Sequence, residues 1–210
     1  MNQRITVAIN REYGSGGKNI GMMLSENLGI PYYDKDILKL AADESGINEA
    51  LFRKHDEDAD TGLFKIAGPI YRGELLTPGS RDFTSEKNLF NYQAKIIKGL
   101  SDTESCIIVG RCADFILKGR PNVVSVFICA PKEYLMEQAA KRKSLTGREL
   151  DRYIDKINRN RSEYYTRYTG QVWSDVHHYD LCLDSSKLTA EKCVELIKGY
   201  MKVRFDGLEF

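Results

Sequence analysis

Residues 10–21 read NREYGSGGKNIG, a glycine-rich stretch between a short β-rich run and the first amphipathic segment of the chain. The preceding run, ITVAIN at residues 5–10, has the composition of a buried strand. The segment that follows places apolar residues at helical spacing, at Ile20, Met23, Leu24 and Leu28. The sequence therefore predicts a strand, a glycine-rich turn and a helix in immediate succession.

This succession predicts a phosphate-binding loop. A helix N-terminus presents N–H groups without partners and a partial positive charge, and glycines let the preceding backbone curl around an anion. The consensus is GxxxxGK followed by Ser or Thr. Gly17 and Lys18 match it, whereas Glu12 replaces the first glycine and Asn19 replaces the hydroxyl residue. The residues predicted to hold nucleotide phosphates are Gly14, Ser15, Gly16, Gly17, Lys18 and Asn19.

The same turn has two rival interpretations. One is a ligand-free glycine-rich connection between strand and helix. The other is a dinucleotide-binding fold, because Asp34 follows the predicted second strand, where a Rossmann protein has the acid that binds ribose. The G-x-G-x-x-G pattern fails, however, because Gly14 and Gly16 are followed by Asn19. The phosphate-loop interpretation is therefore preferred.

The rest of the chain alternates short apolar strands with amphipathic helices. Further strands are predicted at residues 32–34, 106–109, 123–129 and 179–183. Helices are predicted at residues 18–28, 35–45, 85–100, 132–143, 147–168 and 189–205. Such alternation indicates a parallel sheet covered on both faces. Residues 55–84 lack a sustained period and are predicted to be irregular.

The composition argues against several classes of protein. The chain has 210 residues, 42% of them hydrophobic and 29% charged, which suits one globular domain. A net charge of +1 gives no overall field that would attract nucleic acid or an anionic membrane. Neither a signal peptide nor an apolar run of membrane-spanning length is visible. The five cysteines form no CxxC pair, so we expect reduced thiols, no zinc site and a cytoplasmic location.

Five segments, taken together and in this order, resemble the cytidylate kinase-like proteins, which are relatives of cytidylate kinase among the nucleoside monophosphate kinases. The segments are INREYGSGGKNIG at residues 9–21, GIPYYDKDIL at 29–38, CIIVGRCADFIL at 106–117, RNRSEYYTRYTGQVW at 159–173 and YDLCLDSS at 179–186. The resemblance implies a three-layer α/β fold of the P-loop kinase type with a five-stranded parallel sheet. It also implies one domain over residues 1–210, with a monophosphate-binding flap at about 46–100 and a helical lid at about 144–172.

Carried over residue by residue, the resemblance implies ATP phosphates at the glycine-rich loop and an acceptor nucleotide at Asp34 and Arg111. Lys18, Arg159 and Arg161 would stabilise charge during phosphoryl transfer. Magnesium is expected to accompany ATP, with no direct protein ligand assigned. The aromatic residues of the predicted lid are expected to pack against the sheet rather than stack on a base; they are Tyr164, Tyr165, Tyr168 and Trp173.

The implied function is ATP-dependent phosphoryl transfer to a nucleoside monophosphate such as CMP. Small nucleotides are the expected partners, and the oligomeric state is left open. An alternative of another class is a regulatory module that binds nucleotide without transferring phosphate. Glu12 and Asn19 favour it, since both depart from the consensus loop. The dinucleotide-binding interpretation is the third possibility.

Overall fold

The computed structural model describes residues 4–56, 71 and 73–205. Within these residues, five strands form a single parallel sheet in the order β2-β3-β1-β4-β5. The strands are β1 Thr6–Arg11, β2 Tyr32–Tyr33, β3 Cys106–Val109, β4 Val123–Cys129 and β5 Leu181–Asp184. This order differs from the 3-2-1-4-5-6 order of classic dinucleotide-binding folds. The Rossmann interpretation is therefore rejected.

Helices connect successive strands, as parallel pairing requires. In the described ranges the helices are α1 Gly17–Leu28, α2 Asp36–Ser45, α3 Glu49–Lys54, α4 Glu86–Thr103, α5 Ala113–Ile116, α6 Lys132–Ala140, α7 Gly147–Thr169 and α8 Ala190–Arg204. The predicted strands and helices are confirmed to within a few residues at their ends. The short helices α3 and α5 are additional to the prediction. No helix in this part of the chain is long and apolar enough to span a membrane.

The core against the sheet consists of two apolar layers, one on each face of the sheet. The central strand β1 is buried throughout, and its side chains alternate: Val7 and Ile9 face one layer, and Ala8 faces the other. The first layer is built by α1 and α8, with Ile20, Leu24, Val194 and Ile197. The second is built by α4, α5 and α7, with Phe90, Ile97, Ile116 and Tyr165. This is the predicted three-layer arrangement.

Most of the predicted lid segment is a single helix, α7. The C-terminal half of α7 packs in the core. Tyr168 stacks on Phe90 of α4 with ring centroids 4.0 Å apart. Tyr165 and Trp173 are buried in the same cluster. The expected packing of these three aromatic residues is therefore confirmed for the described structure.

The predicted flap is described only in part. Residues 73–84 consist of irregular backbone followed by turns, without helix or strand, which agrees with the prediction for this stretch. Residues 57–70 and 72, which the same prediction covers, lie outside the described residues. The bounds of flap and lid stay predictions.

Candidate active site

The glycine-rich loop joins the carboxyl end of β1 to α1. Gly14 and Gly16 have φ values of 90° and 79°, which glycine adopts without strain. A Cβ on Gly14 would also lie 2.5 Å from the carbonyl oxygen of Leu135 in α6, whereas a Cβ on Gly16 would meet nothing within 4 Å. The loop therefore needs glycine at Gly14 for both conformation and space, and at Gly16 for conformation alone.

The N-terminus of α1 is open to an anion. Gly16 is its N-cap, no side chain caps the helix, and its first turn carries no acidic residue. The first intrahelical hydrogen bond runs from Ile20 N–H to Gly16 C=O at 3.0 Å. The N–H groups that precede Ile20 therefore have no intrahelical acceptor. Together with the helix dipole, they favour negative charge at this point.

Glu12, which replaces the first consensus glycine, attaches the loop to β4. Its carboxylate accepts the N–H of Ala130 at 3.1 Å, and its own N–H donates to the carbonyl of Ile128 at 3.0 Å. Burial raises the pKa of the Glu12 carboxyl, while the hydrogen bond from Ala130 and the charge of Lys132 act in the opposite direction. The residue thus has a structural partner at the end of the neighbouring strand.

Three of the predicted site residues meet at the carboxyl ends of three adjacent strands. Lys18 Nζ lies 3.1 Å from Asp34 Oδ2, and Arg111 Nη1 lies 3.3 Å from Asp34 Oδ1. Asp34 follows β2, Arg111 follows β3, and Lys18 follows the loop after β1. Residues far apart in the sequence therefore converge on a single shared carboxylate.

Asp56 also belongs to this charged cluster, and sequence reasoning missed it. Its Oδ1 lies 2.8 Å from Arg111 Nη2, and its Oδ2 lies 3.8 Å from Lys35 Nζ. Nothing in the aperiodic sequence around it signalled the contact. The position depends on α3, which is anchored by Phe52, a fully buried residue of the cluster between α2 and α4.

Arg111 is held in a strained backbone conformation. Its φ is 56° and that of Cys112 is 55°, and these are the residues other than glycine with positive φ in the described ranges. The left-handed conformation costs roughly 1–2 kcal/mol per residue. The Arg111 side chain is 1% exposed, between two carboxylates that are 7% and 6% exposed. Strain of this kind commonly marks functional sites.

The two predicted arginines of α7 lie in different environments. Arg159 is 69% exposed, and its Nε lies 3.9 Å from Glu163 Oε1 on the same helix. Arg161 is buried and donates from Nη1 to the carbonyl oxygen of Arg11 at 3.0 Å. The structure thus brings Arg161 to the start of the glycine-rich loop and leaves Arg159 at the surface.

Asp114 links three elements beneath the loop. Its carboxylate accepts hydrogen bonds from Asn10 Nδ2 at 2.8 Å and from Tyr165 OH at 2.6 Å. Burial raises the pKa of Asp114, although these two hydrogen bonds favour the ionised form. The network connects β1, α5 and α7 directly behind the residues that would hold phosphate.

The described residues do not fit a direct magnesium site. Across the described ranges, no group of three or more His, Cys, Asp or Glu side chains could hold a metal ion. The Asp34 carboxylate is engaged by two cations, and Asn19 offers an amide in place of the consensus hydroxyl. No protein ligand for magnesium is therefore assigned.

The parallel sheet and the loop after its central strand define a protein with the fold of the P-loop kinases. A gluconokinase from Sinorhizobium meliloti superposes with a TM-score of 0.56 at 14% identity, over 97% of this chain and 95% of that one. A shikimate kinase from Bacteroides thetaiotaomicron gives 0.53 at 12% identity, over 94% and 98%. An uncharacterized protein from Eubacterium ventriosum gives 0.69 at 24% identity, over 95% and 99%. These likenesses show the fold.

The chain belongs to the cytidylate kinase-like family, whose sequence model matches residues 6–187. It is similar to a cytidylate kinase from Methanopyrus kandleri, with 23% identity over 204 residues, 93% of this chain and 92% of that protein. The family match includes every residue of the predicted site, from Gly14 to Arg161.

We expect the two loop glycines to respond differently to alanine. Gly16→Ala should lower the free energy of unfolding by about 1–2 kcal/mol, the cost of a left-handed alanine. Gly14→Ala should lower it further, because the new Cβ would collide with the backbone of Leu135. Urea denaturation of both variants measures the difference. Equal losses would show that the contact with α6 does not constrain the loop.

We also expect Asp114 to make stability depend on pH. Since its pKa is raised in the folded protein, its contribution is complete below the ordinary pKa of about 3.9 and is lost as pH rises through the folded value. The unfolding free energy of the wild-type protein should therefore fall relative to that of Asp114→Asn as the pH rises above about 4. Urea denaturation across this range tests it.

The control is Val203→Ala, at an 84% exposed position. It removes no titratable group, so its difference from wild type should stay constant with pH. A wild-type advantage over Asp114→Asn that grows with pH would contradict the assignment.

Proposed function

We propose that the protein transfers the γ-phosphoryl group of ATP to a nucleoside monophosphate, with CMP as the acceptor that its family favours. One observation carries the proposal. Lys18 and Arg111 share Asp34 beside the uncapped N-terminus of α1. A kinase needs positive charge around both donor and acceptor phosphates. Lys18 would supply it for the donor and Arg111 for the acceptor, on opposite oxygens of Asp34.

The donor phosphates would lie in the loop of residues 14–19. Its backbone N–H groups and the dipole of α1 would bind phosphate oxygens. Lys18 is 59% exposed, so its pair with Asp34 is weak and the ammonium group is free to turn towards the β- and γ-phosphates. The open helix end supports this role, because no side chain competes for it.

The acceptor phosphate would be bound by Arg111. An oxygen of that phosphate attacks the γ-phosphorus and forms a new P–O bond, while the bond to the β,γ-bridging oxygen breaks and ADP leaves with the electron pair. CMP is thereby converted to CDP. An ionised phosphate oxygen carries no proton to remove, so the reaction needs positioning and charge stabilisation rather than a general base.

The remaining predicted roles are part of the same proposal. Arg161 would support the loop through the carbonyl of Arg11. Arg159 would approach the transferring group if residues 144–172 act as a lid. Magnesium bound with ATP would neutralise phosphate charge, and no step is assigned to it here. We further propose that the protein acts in the cytoplasm on small nucleotides.

A second candidate is a nucleotide-binding regulatory module without kinase activity. The observation that favours it is the loop itself, where Asn19 replaces the hydroxyl residue and Glu12 is attached to Ala130. Such a protein would bind ATP and leave it intact. Asn19→Thr restores the consensus residue, and a gain of turnover in this variant would identify the missing hydroxyl as the cause.

ADP release with a panel of CMP, dCMP, UMP and AMP tests the kinase. We expect turnover with at least one acceptor, and a loss of about 100-fold or more in kcat/KM for Lys18→Met, because a cation at the transferred group is removed. Lys39→Met is the matched control, an exposed lysine of α2 outside the charged cluster.

Two negative results have different meanings. Binding of ATP by calorimetry without turnover of any acceptor would select the regulatory module. Failure of folded protein to bind ATP at all would remove both candidates.

A further inference from the structure

We propose that Asp56 is a specificity-determining residue that occupies Arg111 in the absence of acceptor and is displaced only by an acceptor bearing a phosphate group. This inference rests on the proposed function, since it assumes that Arg111 binds the acceptor. It adds a residue to which the sequence motifs assign no role, and it explains how a site with two buried carboxylates can accept an anion.

The charged groups form a chain of alternating sign. Lys18 contacts Asp34, Asp34 contacts Arg111, Arg111 contacts Asp56, and Asp56 faces Lys35. Three cations thus surround two carboxylates. An added phosphate dianion would meet the negative charges of Asp34 and Asp56 on the same guanidinium, and the repulsion between these charges favours the departure of one carboxylate.

The geometry indicates that Asp56 is the group that moves. Asp34 lies directly after β2, which is paired with β3 in the central sheet. Asp56 follows α3, a helix of only six residues. Its other oxygen lies 3.8 Å from Lys35, which is 50% exposed. Lys35 therefore offers the departing carboxylate a second cation within reach.

Displacement of this kind selects for charge on the acceptor. A phosphate dianion can replace a carboxylate on a guanidinium with charge-assisted, bidentate hydrogen bonds. A neutral hydroxyl cannot, because leaving Asp56 without its partner in a buried position is costly. The arrangement therefore discriminates against nucleosides without phosphate. It also lowers the apparent affinity for the correct acceptor, because Asp56 competes for the same site.

The test is the affinity for CMP of the Asp56→Asn variant, measured by calorimetry and as the acceptor KM. Asparagine keeps the shape but competes less strongly, so we expect CMP to bind about tenfold more tightly or better. The gain should appear in KM rather than in kcat. If Asp56 merely supports Arg111, the same substitution should weaken CMP binding, and that result would overturn the proposal.

Lys35→Gln provides a second measurement, which also serves if Asp56→Asn fails to fold. It removes the cation that receives the displaced carboxylate, so CMP binding should weaken, opposite to Asp56→Asn. Lys39→Gln, an exposed lysine on the same helix, should change nothing. Unchanged CMP affinity in Lys35→Gln would count against displacement.

Failure of the proposed function gives a different pattern. If ATP binds but CMP binds to neither wild type nor variants, the acceptor assignment and this inference both fall. If CMP binds and is phosphorylated but Asp56→Asn binds it no more tightly, only the inference is overturned.

Discussion

The site depends on one carboxylate, Asp34, which is shared by Lys18 and Arg111. The strand order β2-β3-β1 makes this possible, because the carboxyl ends of adjacent parallel strands open at the same edge of the sheet. Arg111 is fully buried, and Asp34 is one of the two carboxylates that compensate its charge, so removing Asp34 would destabilise the folded protein. The same interaction therefore connects the segments that follow β2 and β3, and it orients the groups proposed to bind phosphate.

Much of this arrangement could be predicted from local sequence signals. The run before Gly14 is buried and β-rich, the residues after Lys18 have helical spacing, and both signals depend only on neighbouring residues. Asp34 and Arg111 were identified through family resemblance. Their contact was beyond local reasoning, because it is produced by the order in which the strands pair. Asp56 was missed because its position depends on the tertiary packing of α3 through Phe52, which local sequence signals do not report.

The arginines of α7 show that a motif-based prediction does not distinguish a buried residue from an exposed one. The family resemblance implies the same role for Arg159 and Arg161, yet two residues along a helix turn the side chain by roughly 200°. Arg161 consequently points into the core and supports Arg11, while Arg159 lies at the surface. Helix α7 thus combines an anchored C-terminal half, which carries Tyr165 and Tyr168, with an exposed arginine, Arg159.

In the proposed function, backbone amides at the N-terminus of α1 bind the polyphosphate of ATP together with Lys18. Titration of ¹⁵N-labelled protein with a non-hydrolysable ATP analogue, followed by amide chemical shifts, tests it most directly. We expect the largest shifts at residues 14–20 and weaker binding of the analogue to Lys18→Met. Unchanged amides in this loop, with saturable shifts elsewhere on the sheet, would contradict it.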